Sequence, residues 1–282
     1  MAFIQKEFSM IISSDTDNGA INKSSDGSRF EIQLENGLEI PKGAHNVTIQ
    51  VENATIWNSV PNVITGTNDR ITINGINVAG ADPGAAYVVT LPQGLYNLSQ
   101  LNATIEYQLR GLGAKFDPLP LVSFTADEAT NKVEMHVNYD GVQVDFSAAR
   151  TIGQMLGFAS GTYGDYAGAT AAPKTVLADN VATLNNVDYF LIHSDLTNLG
   201  MRVNNKYYQT IAQVLIDVAP GSQIISQPNH PPKIDCPHLI GNTRSHIRFW
   251  LTNHQNEAVN TSGENYSMRL VFKYEVPFIL KN

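Results

Sequence analysis

The C-terminal third of the chain gathers His230, Cys236, His238, His246 and His254, residue types that bind zinc when they converge. Their spacing does not enforce convergence. No C-x-x-C or H-x-x-x-H pair places two ligands together, and Cys236 and His238 lie in a stretch stiffened by Pro231, Pro232 and Pro237. As a nucleophile, Cys236 would need an activating base at a defined site, so it reads as a packed or loop thiol. Asp15-Thr16-Asp17-Asn18-Gly19 opens like a calcium loop, but Ala20 stands where the loop needs Gly and no Glu closes it, which leaves a solvated turn. Asp127 and Glu128 are adjacent carboxylates at a predicted hairpin tip, where their partner is water rather than a glycosidic bond. The chain has no G-x-S-x-G elbow, P-loop or H-E-x-x-H motif. No catalytic residue, metal ligand or cofactor-binding residue is therefore expected, and the chain does not read as an enzyme.

The groups with more to say are large side chains that strand alternation turns outward. If Ile247, Phe249 and Leu251 face a core, then His246, Arg248 and Trp250 face away from it, and Arg248 with Trp250 makes an Arg-Trp pair suited to anchoring an interface. A covering loop or module over Trp250 is the competing reading. Trp57, beside the Pro61 turn, and Tyr163 and Tyr166, in a Gly-rich segment, are further candidate interface residues, although aromatics in such loops more often pack back on the body.

Elements that could hold these groups follow from the composition. The 282 residues are 43% hydrophobic and only 16% charged, and Asn, Thr, Ser, Gly and Val are abundant, so sheet and loop outweigh surface helix. A net charge of −8 and the lack of any Lys/Arg run argue against direct nucleic-acid binding or lying on an anionic membrane. One cysteine fits synthesis in a reducing compartment, and neither a signal peptide nor a membrane span is expected.

Half-buried strands are predicted at Arg29 to Leu34 and Asn46 to Trp57, where Phe30, Ile32 and Leu34, then Val47, Ile49 and Val51, alternate with polar residues. A short strand from Arg70 to Asn74 follows. After a small-residue seam at 78–86 the period changes from two to about 3.6. Leu98, Leu101, Ile105, Leu109 and Leu112 form a helical stripe opened by an Asn97/Gln100 capping box. With a strand from Tyr87 to Leu91 ahead of this helix, a hairpin from Leu121 to Asn138 and a second helix carrying Ile152, Met155 and Leu156 complete a β-α-β-β-α module, to which Val142 to Phe146 adds another short strand. Strands resume from Val187 and are clearest at Ser245 to Thr252 and Ser267 to Glu275. With Phe3 to Ile12 there are about nine, spaced as in a sandwich or jelly roll. The expected fold is mainly β: a single jelly-roll β-sandwich of residues 1–84 and 173–282, with an inserted small α+β module at 85–172.

Three stretches resemble a known family. Asn36-Gly37-Leu38-Glu39-Ile40-Pro41-Lys42-Gly43 runs into Val47-Thr48-Ile49-Gln50-Val51 and ends at Trp57-Asn58-Ser59-Val60-Pro61-Asn62. Leu91-Pro92-Gln93-Gly94-Leu95-Tyr96-Asn97-Leu98-Ser99-Gln100-Leu101-Asn102 precedes Val144-Asp145-Phe146 and Ile152-Gly153-Gln154-Met155-Leu156-Gly157-Phe158. Ile247-Arg248-Phe249-Trp250-Leu251-Thr252 precedes Gly263-Glu264-Asn265-Tyr266-Ser267-Met268-Arg269-Leu270. In this order they are similar to the penton (vertex, minor capsid) proteins of polinton-like viruses, adintoviruses and virophages, in the adenovirus-like lineage of tailless icosahedral viruses. The resemblance implies a structural capsid protein with a jelly roll and an inserted domain. It also implies a homopentamer at each fivefold vertex beside a neighbouring major capsid protein of double-jelly-roll trimers, a host receptor as a further partner, a virion location and synthesis in the host cytoplasm. The chain departs from the family in lacking a positively charged arm and in its Ala/Gly-rich segment 159–172. A receptor- or glycan-binding spike domain on the same scaffold is the alternative, and a polysaccharide-degrading enzyme ranks below both.

Overall fold

The computed structural model describes residues 2–74, 86–114, 116, 118–139, 141–164, 174–185 and 187–278. The chain opens with strands β1 (Phe3–Ser13), β2 (Ala20–Ile21), β3 (Arg29–Glu39) and β4 (His45–Trp57). It continues through β5 (Arg70–Asn74), β6 (Tyr87–Thr90), helix α1 (Leu98–Gly111), β7 (Val122–Asp127), β8 (Lys132–Val137), β9 (Gln143–Asp145), β10 (Thr162–Gly164) and β11 (Lys174–Val181). The last part holds β12 (Tyr189–Ser194), β13 (Arg202–Val203), β14 (Lys206–Tyr207), β15 (Thr210–Leu215), β16 (Gln223–Ser226), β17 (Ile234–Asp235), β18 (Thr243–Thr252) and β19 (Ser267–Pro277). Two compact units result: Met1–Val60 with Val187–Asn282, and Pro61–Asn186.

In the first unit, alternation does what the sequence suggests. Val47, Ile49 and Val51 are buried, as are Ile247, Phe249 and Leu251, and Met268, Leu270 and Phe272. One sheet runs β1-β19-β4-β16 and the other β15-β12-β18-β3, with β2 on its end. Taking the eight main strands in chain order, β1 pairs β19, β3 pairs β18, β4 pairs β16 and β12 pairs β15. First lies beside last, second beside seventh, third beside sixth and fourth beside fifth, which is a long antiparallel ribbon rolled into two sheets, the jelly roll. Stacked aromatics fill the space between them. Phe30 and Phe249 have ring centroids 5.4 Å apart, and Phe8 and Phe272 4.7 Å.

The second unit enters the chain between the third and fourth strands of the roll. It has its own core and two sheets, β10-β9-β5-β6 and β11-β8-β7. Helix α1 starts as expected: the Asn97 side chain accepts from the Gln100 backbone N–H, and the Gln100 side chain accepts from that of Asn97. Leu101, Ile105 and Leu109 are its buried stripe, whereas Leu112 stands 50% exposed just past its end.

Several expectations change here. The strand at Arg70 pairs with β6 and β9, inside the second unit, and Lys174–Val181 is a strand there too, so the units divide at Pro61 and Val187 and not at 84/85 and 172/173. The seam at 78–86 lies outside the described residues except for Ala86. The second helix does not form. Ile152, Met155 and Leu156 are buried on consecutive turns, with Arg150 at φ +65° and Gly157 at φ +87° breaking any helical run. Gly153 lies against Phe146, where a Cβ would meet the ring at 2.7 Å. The Gly-rich segment after Ala159 contains a strand, Thr162–Gly164, paired with β9.

Candidate functional site

Strand β18 lies between β12 and β3, with Ile247, Phe249 and Leu251 inward, so its other residues look out from the roll. Arg248 is exposed and sits opposite Glu31 of β3, its Nε 2.7 Å from Glu31 Oε1. The Glu31 carboxylate also accepts from Asn22 Nδ2 at 2.8 Å. That hydrogen bond first, and the charge of Arg248 after it, hold its pKa below the usual carboxylate value.

Trp250 is only half-buried and engaged. It sits opposite His193 of β12 on one side and Arg29 of β3 on the other, and its ring lies flat on the imidazole. His193 is fully buried between two hydroxyls, with Nε2 2.7 Å from Thr252 Oγ1 and Nδ1 3.1 Å from Thr210 Oγ1. Burial pulls its pKa down to about 4, so the imidazole is neutral at pH 7. The expected Arg-Trp pair is thus an exposed arginine held by an acid beside a tryptophan that roofs a histidine.

Trp57 lies in the other sheet, at the end of β4 opposite Gln223, and is 37% exposed. Ile225 pairs Thr55 and Ile11 pairs Arg269, which puts both on the same outward face as Trp57, exposed by 70% and 82%. Sequence reading passed over these two isoleucines. The signal was present in the adjacent pairs Ile11-Ile12 and Ile224-Ile225, since strand alternation can bury only one residue of each.

Tyr163 belongs to the second unit and is not free. Its ring packs on Phe158 and Phe146, with centroids 5.1 and 5.7 Å away, and its hydroxyl donates to the Asp179 carboxylate. Burial, then that bond, pushes its pKa up to about 12. Tyr166 lies outside the described residues.

No protein-family model and no curated protein matches this chain. Solved structures similar to it include two from virophages. The mavirus penton protein is 9% identical, with a TM-score of 0.47 over 97% of this chain and 100% of that one. A chain of the Sputnik virophage structure is 13% identical, with a TM-score of 0.40 over 95% of this chain and 97% of that one.

The remaining chemical candidates do not assemble. Cys236 is fully buried, and burial pushes its thiol up to about 12, far from a nucleophile's range. His230 and His246 are exposed, His238 is half-buried, and His254 stands 3.9 Å from the Asp188 carboxylate. Among the described residues, no group of three or more His, Cys, Asp or Glu side chains could hold a metal ion, and no helix is long and apolar enough to cross a membrane. Asp15 caps a short 3-10 turn, Thr16–Asn18, through the Asp17 backbone N–H. Asp127 serves its own hairpin, accepting from the Ala129 backbone at 3.1 Å and from the Thr130 hydroxyl. This arrangement can form contacts: apolar groups on one outward face and a paired arginine beside an aromatic on the other.

Proposed function

We infer that the chain is a structural capsid protein, the homopentameric penton that closes the fivefold vertices of an icosahedral virion. The observation that carries this reading is the strand pairing, first with last through fourth with fifth, interrupted between its third and fourth strands by a unit with its own core. A roll of this kind presents broad sheet faces and edges that repeat around a symmetry axis, and a head-to-tail contact closes a ring when the rotation suits. The sequence stretches resembling penton proteins run through both units, and Ile11, Ile225 and Trp57 supply apolar surface for a neighbour. The acidic chain, with no basic run, suits a protein that meets other capsid proteins rather than the genome. In this reading its neighbours are further copies and the double-jelly-roll trimers of the major capsid protein.

Sedimentation of the purified protein and labelling of purified particles test it together. A pentamer in solution and label at the vertices is the expected result. A strictly monomeric protein absent from particles would overturn it.

A further inference from the structure

The two sheets of the roll do not meet everywhere. Between β4 and β15 they leave a pocket of about 210 Å³ walled by Val51, Ala54, Ala212, Val214 and Met201. Val51, Ala54, Ala212 and Val214 are buried residues of the core, and two of them are alanines, one contributed by each sheet. Elsewhere the same layer is filled by phenylalanine and isoleucine, as with Phe30 against Phe249. Folded interiors are close-packed, and gaps much larger than a water molecule are few. The mouth is formed by other residues, Ser226, Pro228 and His230 at and beyond the end of β16, and Gln213 of β15.

From this geometry we propose that the pocket is a binding site for a small apolar molecule of about the size of benzene or a six-carbon chain. Size sets the upper limit, since drug-sized ligands occupy roughly 300 Å³ or more. Chemistry sets the class: an apolar cavity of about 150 Å³ lined by aliphatic and aromatic side chains stays dry and takes up benzene. The inner walls offer methyl, methylene and thioether groups and no charge, so a charged or sugar-like group seated against them would lose its hydration, and only the part of a ligand that reaches Gln213, Ser226 or His230 at the mouth would find polar partners. Binding fills the layer between the sheets and so stabilises the folded roll, by an amount that grows with the logarithm of ligand concentration once this exceeds the Kd.

The test uses the full chain with benzene as the probe, followed by thermal unfolding and by the NMR signals of Ala54, Ala212 and Met201 methyl groups. The expected result is a midpoint that keeps rising with benzene concentration, by about 3 °C at ten times the Kd, and saturable NMR shifts confined to those methyls. Ala212→Leu places a side chain in the pocket and should abolish both effects, and Ala54→Val provides a second, smaller plug should the first variant fail to fold. Absence of a saturable shift in the wild-type protein would overturn the proposal. So would an equal shift in a folded plugged variant, because the benzene would then be bound elsewhere.

Discussion

The Trp250 indole and the His193 imidazole lie face to face on neighbouring strands, centroids 5.3 Å apart and planes 7° apart. The pair seals a neutral histidine into the outward face of the roll. Because burial lowers the folded pKa of His193 to about 4 from an ordinary 6.5, the unfolded chain binds the extra proton between those values. Its contribution is complete above pH 6.5 and is lost as the pH falls toward 4, on the order of 3 kcal/mol in all. Urea melts from pH 7 to 4 should show that fall, and His193→Gln should flatten it. An unchanged slope in the variant would assign the effect to other groups, such as His238, whose pKa is also lowered by burial.

Asp69 is a fully buried carboxylate in the second unit, gripped by Arg150 through Nε at 2.8 Å and through Nη2, and accepting from the Gly66 backbone at 2.8 Å. Removing one partner strands the other's charge. Arg150→Ala should destabilise the unit by about 2–4 kcal/mol, toward the lower side of a buried pair because the arginine is partly exposed. A double-mutant cycle with Asp69→Asn, read by denaturant unfolding, should give clear coupling, and simple additivity would refute the pairing.

Gly157 has φ +87° and approaches the Asn180 carbonyl so closely that a Cβ would stand 2.2 Å from its oxygen. Gly157→Ala therefore combines left-handed strain with overpacking, about 3 kcal/mol or more. Gly153→Ala meets the Phe146 side chain, at its Cβ and ring, and should cost about 1–3 kcal/mol. Comparison of unfolding midpoints checks the order, which fails if the second variant is the weaker protein.

The cap of α1 is reciprocal, so Asn97→Ala removes both an acceptor for the Gln100 N–H and the anchor of the box. A loss of about 1 kcal/mol is expected, visible as faster amide exchange in the first turn of the helix.

How far the sequence revealed this molecule depended on whether a segment's neighbours were local. Strands β4, β18 and β19 carry clean alternation, and their inward residues emerged correctly because one face meets a core and the other does not. Helix α1 was readable from its cap and stripe. The segment around Ile152 carried apolar residues at helical spacing, yet a glycine at either end of its last turns and a left-handed Arg150 made it a sequence of turns. Strand β11 escaped because it exposes Leu177 and Val181 while burying Ala178, an inversion produced by its partner β8 far back in the chain. At the candidate interface, the outward direction of Arg248 was legible from alternation alone. The hidden histidine under Trp250 was not, since it depends on register between β12 and β18.

Among the described residues strand β1 pairs only with β19, with Phe3 beside Pro277 and Ser13 beside Ser267 along an unbroken register. Every other pairing of the roll nests inside that one. The outermost seam therefore closes the longest loop in the chain, and its entropic cost must be met after, or together with, all the inner pairings. On the ribosome β1 has to wait, unpaired, until β19 has been made. An eleven-residue strand with Phe3, Ile4 and Ile11 exposed is then at its most vulnerable to pairing with the wrong chain, so the timing of synthesis bears on how cleanly this protein matures.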